Sequence, residues 1–317
     1  MGYVSLEKNK PGKDTSNFTV ADLKRINLIS GKGGVGRSTF AATFAKAAAN
    51  AGKKTLLAEI EDDTGADSPL ARTFNLKHFS TEPAKIDTHL YGLSLSAVTG
   101  QERFLNSFLK ITTLTKTILG NQGIRWFLEG APAFKEMGYF NHLLMQLRED
   151  YEVIILDLPA TGHLVGLARL PRILLKMIPF GPIAERLKEG QNYFYDEKQT
   201  AAWIVTLPQP LPVSEALELR DALLEEKISM GGLILNRCPS NPFTADEQDL
   251  LELALSSEGT GGAGFILERI KLFQDAKKKL GEALSSSGKK SDLWIAPEVF
   301  NPLADSDFMN RIVRQKC

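Results

Sequence analysis

Residues 30–39 read S-G-K-G-G-V-G-R-S-T, and 31–38 fill the frame G-x-x-x-x-G-[K]-[ST] except that Arg37 stands where lysine is usual. The frame lies between an apolar run (RINLIS, 25–30) and a helical pattern (FAATFAKAAANAG, 40–52), the context of a phosphate-binding loop. Gly31, Gly33, Gly34 and Gly36 allow left-handed backbone and close approach to phosphate oxygens, with Val35 carried between them. The helix that opens around Ser38 and Thr39 adds free N–H groups and a positive dipole end. Ser38 is placed to ligate Mg²⁺ through its hydroxyl. Two cations, Lys32 and Arg37, accompany the glycines. Arginine keeps the charge of the usual lysine, but its planar fork is bulkier and is no compact point charge.

A second acceptor for the metal shell comes from YEVIILDLPATGH, 151–163, where Asp157 closes an apolar strand. At the carboxyl end of that strand its carboxylate faces the loop and can hold a water of the Mg²⁺ shell. Five more apolar, β-rich runs accompany these two strands: TLLAEI at 55–60, GLSLSAV at 92–98, AWIVTL at 202–207, GLILNR at 232–237 and LWIAP at 293–297. They alternate with helical patterns, which predicts an α/β fold: the doubly wound, mainly parallel sheet of a P-loop NTPase. Residues 1–24 are polar, include Pro11 and Gly12, and read as a flexible tail; 25–317 read as one P-loop ATPase-like domain. The stretches at about 101–148 and 162–198 are too helix-rich for simple crossovers and read as helical additions on the nucleotide side. GTGGAG at 259–264 follows a helical pattern rather than a strand and reads as a flexible connection.

Composition narrows the function classes. Across 317 residues, 38 basic side chains balance 38 acidic ones, so no global field draws the chain to nucleic acid or anionic lipid. Two cysteines without a C-x-x-C suit a reducing compartment, and the expected location is cytoplasmic. The most apolar stretch, 164–183, is broken by Arg169, Arg172, Lys176 and three prolines and is no membrane span. The loop lacks the G-x-G-x-x-G spacing of a dinucleotide site, and AEIEDD matches a ribose-binding acid only loosely, which disfavours a redox enzyme.

The form G-K-G-G-V-G-x-S-T resembles the deviant Walker A of the ParA/MinD and arsenite-pump group, and D-x-x-x-T-G-H at 157–163 resembles switch II of the ArsA and GET-pathway (tail-anchored-protein-targeting) ATPases. APAFKEMGYFNHLL at 131–144, VTLPQPLPVSEALEL at 205–219, LILNRC at 233–238 and WIAPEVFN at 294–301 extend the likeness over most of the chain from residue 25. The resemblance implies ATP or ADP with Mg²⁺ as cofactors, and Lys32 reaching nucleotide across a dimer interface. It also implies Asn236 reading adenine, Pro297 in the loop that covers the base, and Glu61 at the place of an aspartate that orients the attacking water. Glutamate is one methylene longer, and misplacing such a group by about 1 Å costs on the order of 100-fold in rate. With Arg37, the departures surround the γ-phosphate, so ATP hydrolysis by the chain alone is expected to be weak or absent. Either a homodimer or a heterodimer with a paralogous ATPase accommodates this, the second making the chain a non-hydrolysing regulatory or scaffold subunit. Residues 164–187 mix an apolar series with cations directly after switch II, which leaves open a hydrophobic or membrane-protein client alongside plain core packing. Without a C-x-x-C there is no zinc-clasped dimer, and the two cysteines make no thiolate cluster for a metalloid.

Overall fold

The computed structural model describes residues 16–60, 67–109, 132–158, 160–177, 179–241, 243–244, 246–248, 250, 262–286, 291–300, 302–303 and 307–315. Each of the seven apolar runs forms a strand: β1 (Ile26–Gly31), β2 (Thr55–Ile60), β4 (Leu90–Leu95), β5 (Val153–Asp157), β6 (Thr200–Thr206), β7 (Met230–Cys238) and β8 (Asp292–Pro297). They lie in the order β4-β2-β5-β1-β6-β7-β8 and pair in parallel throughout. Two short edge strands, β3 (Ala84–Asp87) and β9 (Val313–Gln315), add antiparallel partners at either end. They are too short and polar to announce themselves in the sequence.

Helices cover both faces because nearly every residue of the central strands is buried. On one face α1 (Arg37–Asn50) and the four-residue α2 (Pro69–Arg72) pack with an aromatic cluster. Phe18 stacks on Phe44 with ring centroids 4.6 Å apart and meets Trp203 and Trp294 edge-on. Phe18 is fully buried, its N–H donates to the Ile312 carbonyl at 2.8 Å, and Asn17 bridges Val313. Residues 17–24, expected to be part of a flexible tail, are therefore docked on the sheet. One aromatic side chain in a polar stretch is a small sequence signal but buries a large apolar area.

The other face is covered by α4 (Pro132–Leu147), α5 (Ala160–Met177), α6 (Pro182–Tyr195), α7 (Pro210–Glu225) and α8 (Gly262–Ser286). The helix-rich stretches contain α3 (Ala97–Leu109), packed on α4, and the α5–α6 pair. Tyr139, Leu143, Leu164, Leu167 and Phe194 are buried with β-strand residues of the core, so these helices form much of a sheet-covering layer. Gly262 and Gly264, expected within a flexible connection, instead open α8; residues 259–261 lie outside the described residues.

Candidate functional site

The phosphate loop leaves β1 under tight constraint. At Gly31, φ is +149° and a Cβ would stand 2.2 Å from the Val205 carbonyl oxygen, so only glycine lets the loop pass β6. Gly36 caps α1 at φ +102°, where a Cβ would lie 2.5 Å from Nδ2 of Asn236. At Gly33 and Gly34 a Cβ would meet nothing within 4 Å, so this part of the loop borders open space. The first helical bond runs from the Phe40 N–H to the Gly36 carbonyl, which leaves the N–H groups of Arg37, Ser38 and Thr39 as the orphan donors of a helix N-terminus.

Asp157 reaches the loop from β5, the immediate neighbour of β1, in register with Ile29. The Ser38 hydroxyl donates to its Oδ2, while Oδ1 is buried without a partner among the described residues. Burial raises the Asp157 pKa, opposed by the Ser38 hydrogen bond and by the charge of Arg37. The Arg37 guanidinium donates to the carbonyl of Leu158, the residue after this acid. Lys32, half exposed, is held by Oε1 of Glu215 on α7 at 2.7 Å.

Asn236 supports the loop. Its Nδ2 donates to the Val35 carbonyl at 2.8 Å, and its Oδ1 accepts from the Arg237 N–H at 2.8 Å. Arg237 adopts a left-handed φ of +54° where the β7–β8 register shifts, which aims the preceding carboxamide at the loop. The Asn236 side chain is thus engaged at both ends by protein. Pro297 ends β8 opposite Cys238, and the next residue, Glu298, lines a cavity of about 200 Å³ with Leu207, Pro208, Gln209, Arg237, Arg269 and Leu272. A larger cavity of about 550 Å³ shares Leu207, Gln209 and Leu272 and runs along Lys32, Gly33, Gly34 and Val35. Together they make a trough from the loop toward Arg237 and Glu298.

Glu61 lies outside the described residues. A carboxylate that the sequence reading passed over, Glu59, sits in register with Asp157 on the adjoining strand β2. Ser68 donates to its Oε2 at 2.7 Å, and burial pushes its pKa up to about 7, with the Asp157 charge adding to the rise. Its signal was an acid inside the apolar run TLLAEI, easily absorbed into the acidic stretch that follows.

These residues fit a nucleotide with its magnesium: a glycine cradle open on one side, helix N–H groups, a hydroxyl, and a buried carboxylate oxygen with no partner among the described residues. Strand, loop and helix with an acid on the neighbouring strand define a P-loop nucleotide-binding protein. Within that class the chain belongs to the ArsA ATPase family, whose model, described as anion-transporting ATPase, matches residues 24–183. It is similar to ATPase BagA of Mycobacterium tuberculosis, with 27% identity over 73% of this chain and 69% of that protein. The ATPase ASNA1 homolog of Plasmodium vivax is 25% identical over 74% of this chain and 70% of its own length. The arsenical pump-driving ATPase of Escherichia coli is 26% identical over 72% of this chain and 38% of its own.

Proposed function

We propose that the chain is an ATP-binding switch protein of the ArsA/GET kind, acting as a nucleotide-dependent dimer and hydrolysing ATP weakly or not at all by itself. The observation that carries the reading is the Ser38–Asp157 pair at the loop, with Asp157 Oδ1 buried and unpartnered among the described residues. Mg²⁺ held by Ser38 and, through water, by Asp157 would neutralise charge on β- and γ-phosphate oxygens. Gly31 to Thr39 supply backbone donors, and the trough beside Leu207 and Leu272 has room for the nucleoside. Weak hydrolysis is supported by Arg37, which donates to the Leu158 carbonyl. It is also supported by Glu61, one methylene longer than the aspartate expected at that place.

A second reading, a non-hydrolysing regulatory subunit beside a paralogous ATPase, is favoured by one contrast: Lys32 is kept while the lysine expected at position 37 is not. A hydrophobic client would meet α5 and the turn after it, where Ile173 and Phe180 are exposed although Leu164, Leu167 and Leu170 are buried. No helix among the described residues is long and apolar enough to cross a membrane. A cytoplasmic location belongs to the same proposal. Calorimetry with Mg²⁺-ATP tests the reading: wild type is expected to give binding heat that Asp157→Ala and Gly36→Val lose. A wild type without heat, or variants with undiminished affinity, would overturn it. Single-turnover hydrolysis of bound ATP by the chain alone would reject the second reading, whereas a rise in turnover only on mixing with a paralogous ATPase that carries the ordinary lysine would favour it.

A further inference from the structure

Lys32 stands on the open part of the loop, between Gly31 and Gly33, with its side chain 40% exposed beside the larger cavity. A free lysine there would turn to whatever anion the cavity received. It is not free, because its Nζ lies 2.7 Å from Oε1 of Glu215. Glu215 belongs to α7, whose Val213, Ala216, Leu219 and Leu223 are buried in the core, so its backbone cannot follow the lysine away. Its other oxygen, Oε2, is buried and without a partner among the described residues. A carboxylate with one desolvated oxygen holds its cation more tightly than a fully solvated one, because water cannot replace the lost contact.

We infer that Glu215 is a positioning residue: it holds Lys32 within its own chain and opposes that lysine's movement onto phosphate. The inference rests on the nucleotide reading above. Phosphate bound at the loop, or presented by an opposing subunit, competes with the Glu215 carboxylate for one ammonium group. The chain therefore carries a built-in resistance to engaging Lys32, set by a side chain 183 positions away in sequence. A structural role for Glu215 predicts the opposite effect, since an α7 weakened by the substitution would bind nothing more tightly.

The test uses the full chain and two readouts. Trace acetylation of lysines, read by peptide mass spectrometry against exposed Lys85 as internal reference, reports whether Lys32 is held. Mg²⁺-ATP calorimetry reports whether holding it opposes phosphate. Glu215→Gln is expected to acetylate Lys32 several-fold faster and to bind Mg²⁺-ATP about fivefold more tightly. At 1.4 kcal/mol per tenfold, fivefold is about 1 kcal/mol, the upper end for a half-exposed ion pair. Glu218→Gln, an exposed position on the same helix, should change neither readout. In a Lys32→Gln background Glu215→Gln should no longer alter the affinity. Unchanged acetylation of Lys32, unchanged ATP affinity, or an affinity gain that persists without Lys32 would each overturn the inference. If wild type itself binds no Mg²⁺-ATP, the nucleotide reading falls first and this one with it, an outcome distinct from a failure confined to Glu215→Gln.

Discussion

At Gly36 a left-handed backbone and a close neighbour coincide, whereas at Arg237 the left-handed backbone has to accommodate a side chain. Gly36→Ala incurs the left-handed penalty of about 1–2 kcal/mol and pushes on the amide that holds the Val35 carbonyl. The expected outcome in urea denaturation is a loss of about 2–3 kcal/mol together with loss of nucleotide binding. Arg237→Gly should do the reverse to the backbone, leaving stability unchanged or raised by up to about 1 kcal/mol. If Gly36→Ala is as stable as wild type, the loop is not braced by Asn236. Glu59 gives a second expectation. Its folded pKa is about 7 against an ordinary 4.5, and Asp157 is raised as well, in both cases chiefly by burial. Between those values the folded chain keeps protons that the unfolded chain has released. The resulting stabilisation is complete below about 4.5 and is lost as pH rises through 7. The melting temperature of nucleotide-free protein should fall between pH 5.5 and 7.5, and Glu59→Gln, neutral throughout, should flatten the fall. A wild-type profile already flat over that interval would dismiss it.

Among the elements, α7 and α5 are joined by a carboxylate at the end of α7. Glu226 is 2% exposed and accepts from Arg169 Nε at 2.7 Å and from Arg172 Nη2 at 2.8 Å, both on α5. The partners are unequal, since the arginines are 40% and 50% exposed and can turn to water, whereas the glutamate cannot. Glu226→Gln should therefore cost only about 1 kcal/mol. Replacing both arginines by alanine strands a buried charge and should cost about 3 kcal/mol. Chemical denaturation of the two variants checks the order, and equal costs would mean that the clamp is not electrostatic. Such ties between distant elements were not legible in the sequence: Glu226 and Arg169 lie 57 positions apart, and no local period joins them. The strands were legible because burial on both faces writes continuous apolar runs, and the loop because few frames place four glycines among two cations and a serine. Asp157 was legible for the same local reason, closing an apolar run. Asn236 was found at its strand end, but its bond to Val35 depends on the left-handed Arg237, which no side-chain pattern reveals. Phe18 and Glu59 were missed because each is a single residue whose surroundings point the other way.

For the whole molecule, the sheet order places β1 between β5 and β6, and the helices that follow β1 and β5 cover opposite faces. A crevice at the carboxyl ends of strands whose connections diverge is where such sheets take ligands. On the proposed reading, nucleotide bound there would span the loop after β1, the acid on β5 and the ends of β6 to β8, which have to be in place together. Binding should accordingly stabilise the chain as a unit. At a hundredfold excess over Kd, mass action adds about 2.7 kcal/mol, and at roughly 2 °C per kcal/mol for a chain of this size the melting temperature should rise by about 5 °C. Asp157→Ala should remove the rise. A dimer formed only with nucleotide adds a further signature, because association also binds the folded state alone. With Mg²⁺-ATP present the melting temperature should then climb with protein concentration, and without it should not. Thermal scans at two protein concentrations, with and without Mg²⁺-ATP, separate the outcomes. No rise at either concentration rejects nucleotide binding. A rise independent of protein concentration keeps the nucleotide and rejects the dimer, leaving Lys32 to serve the phosphate of its own chain.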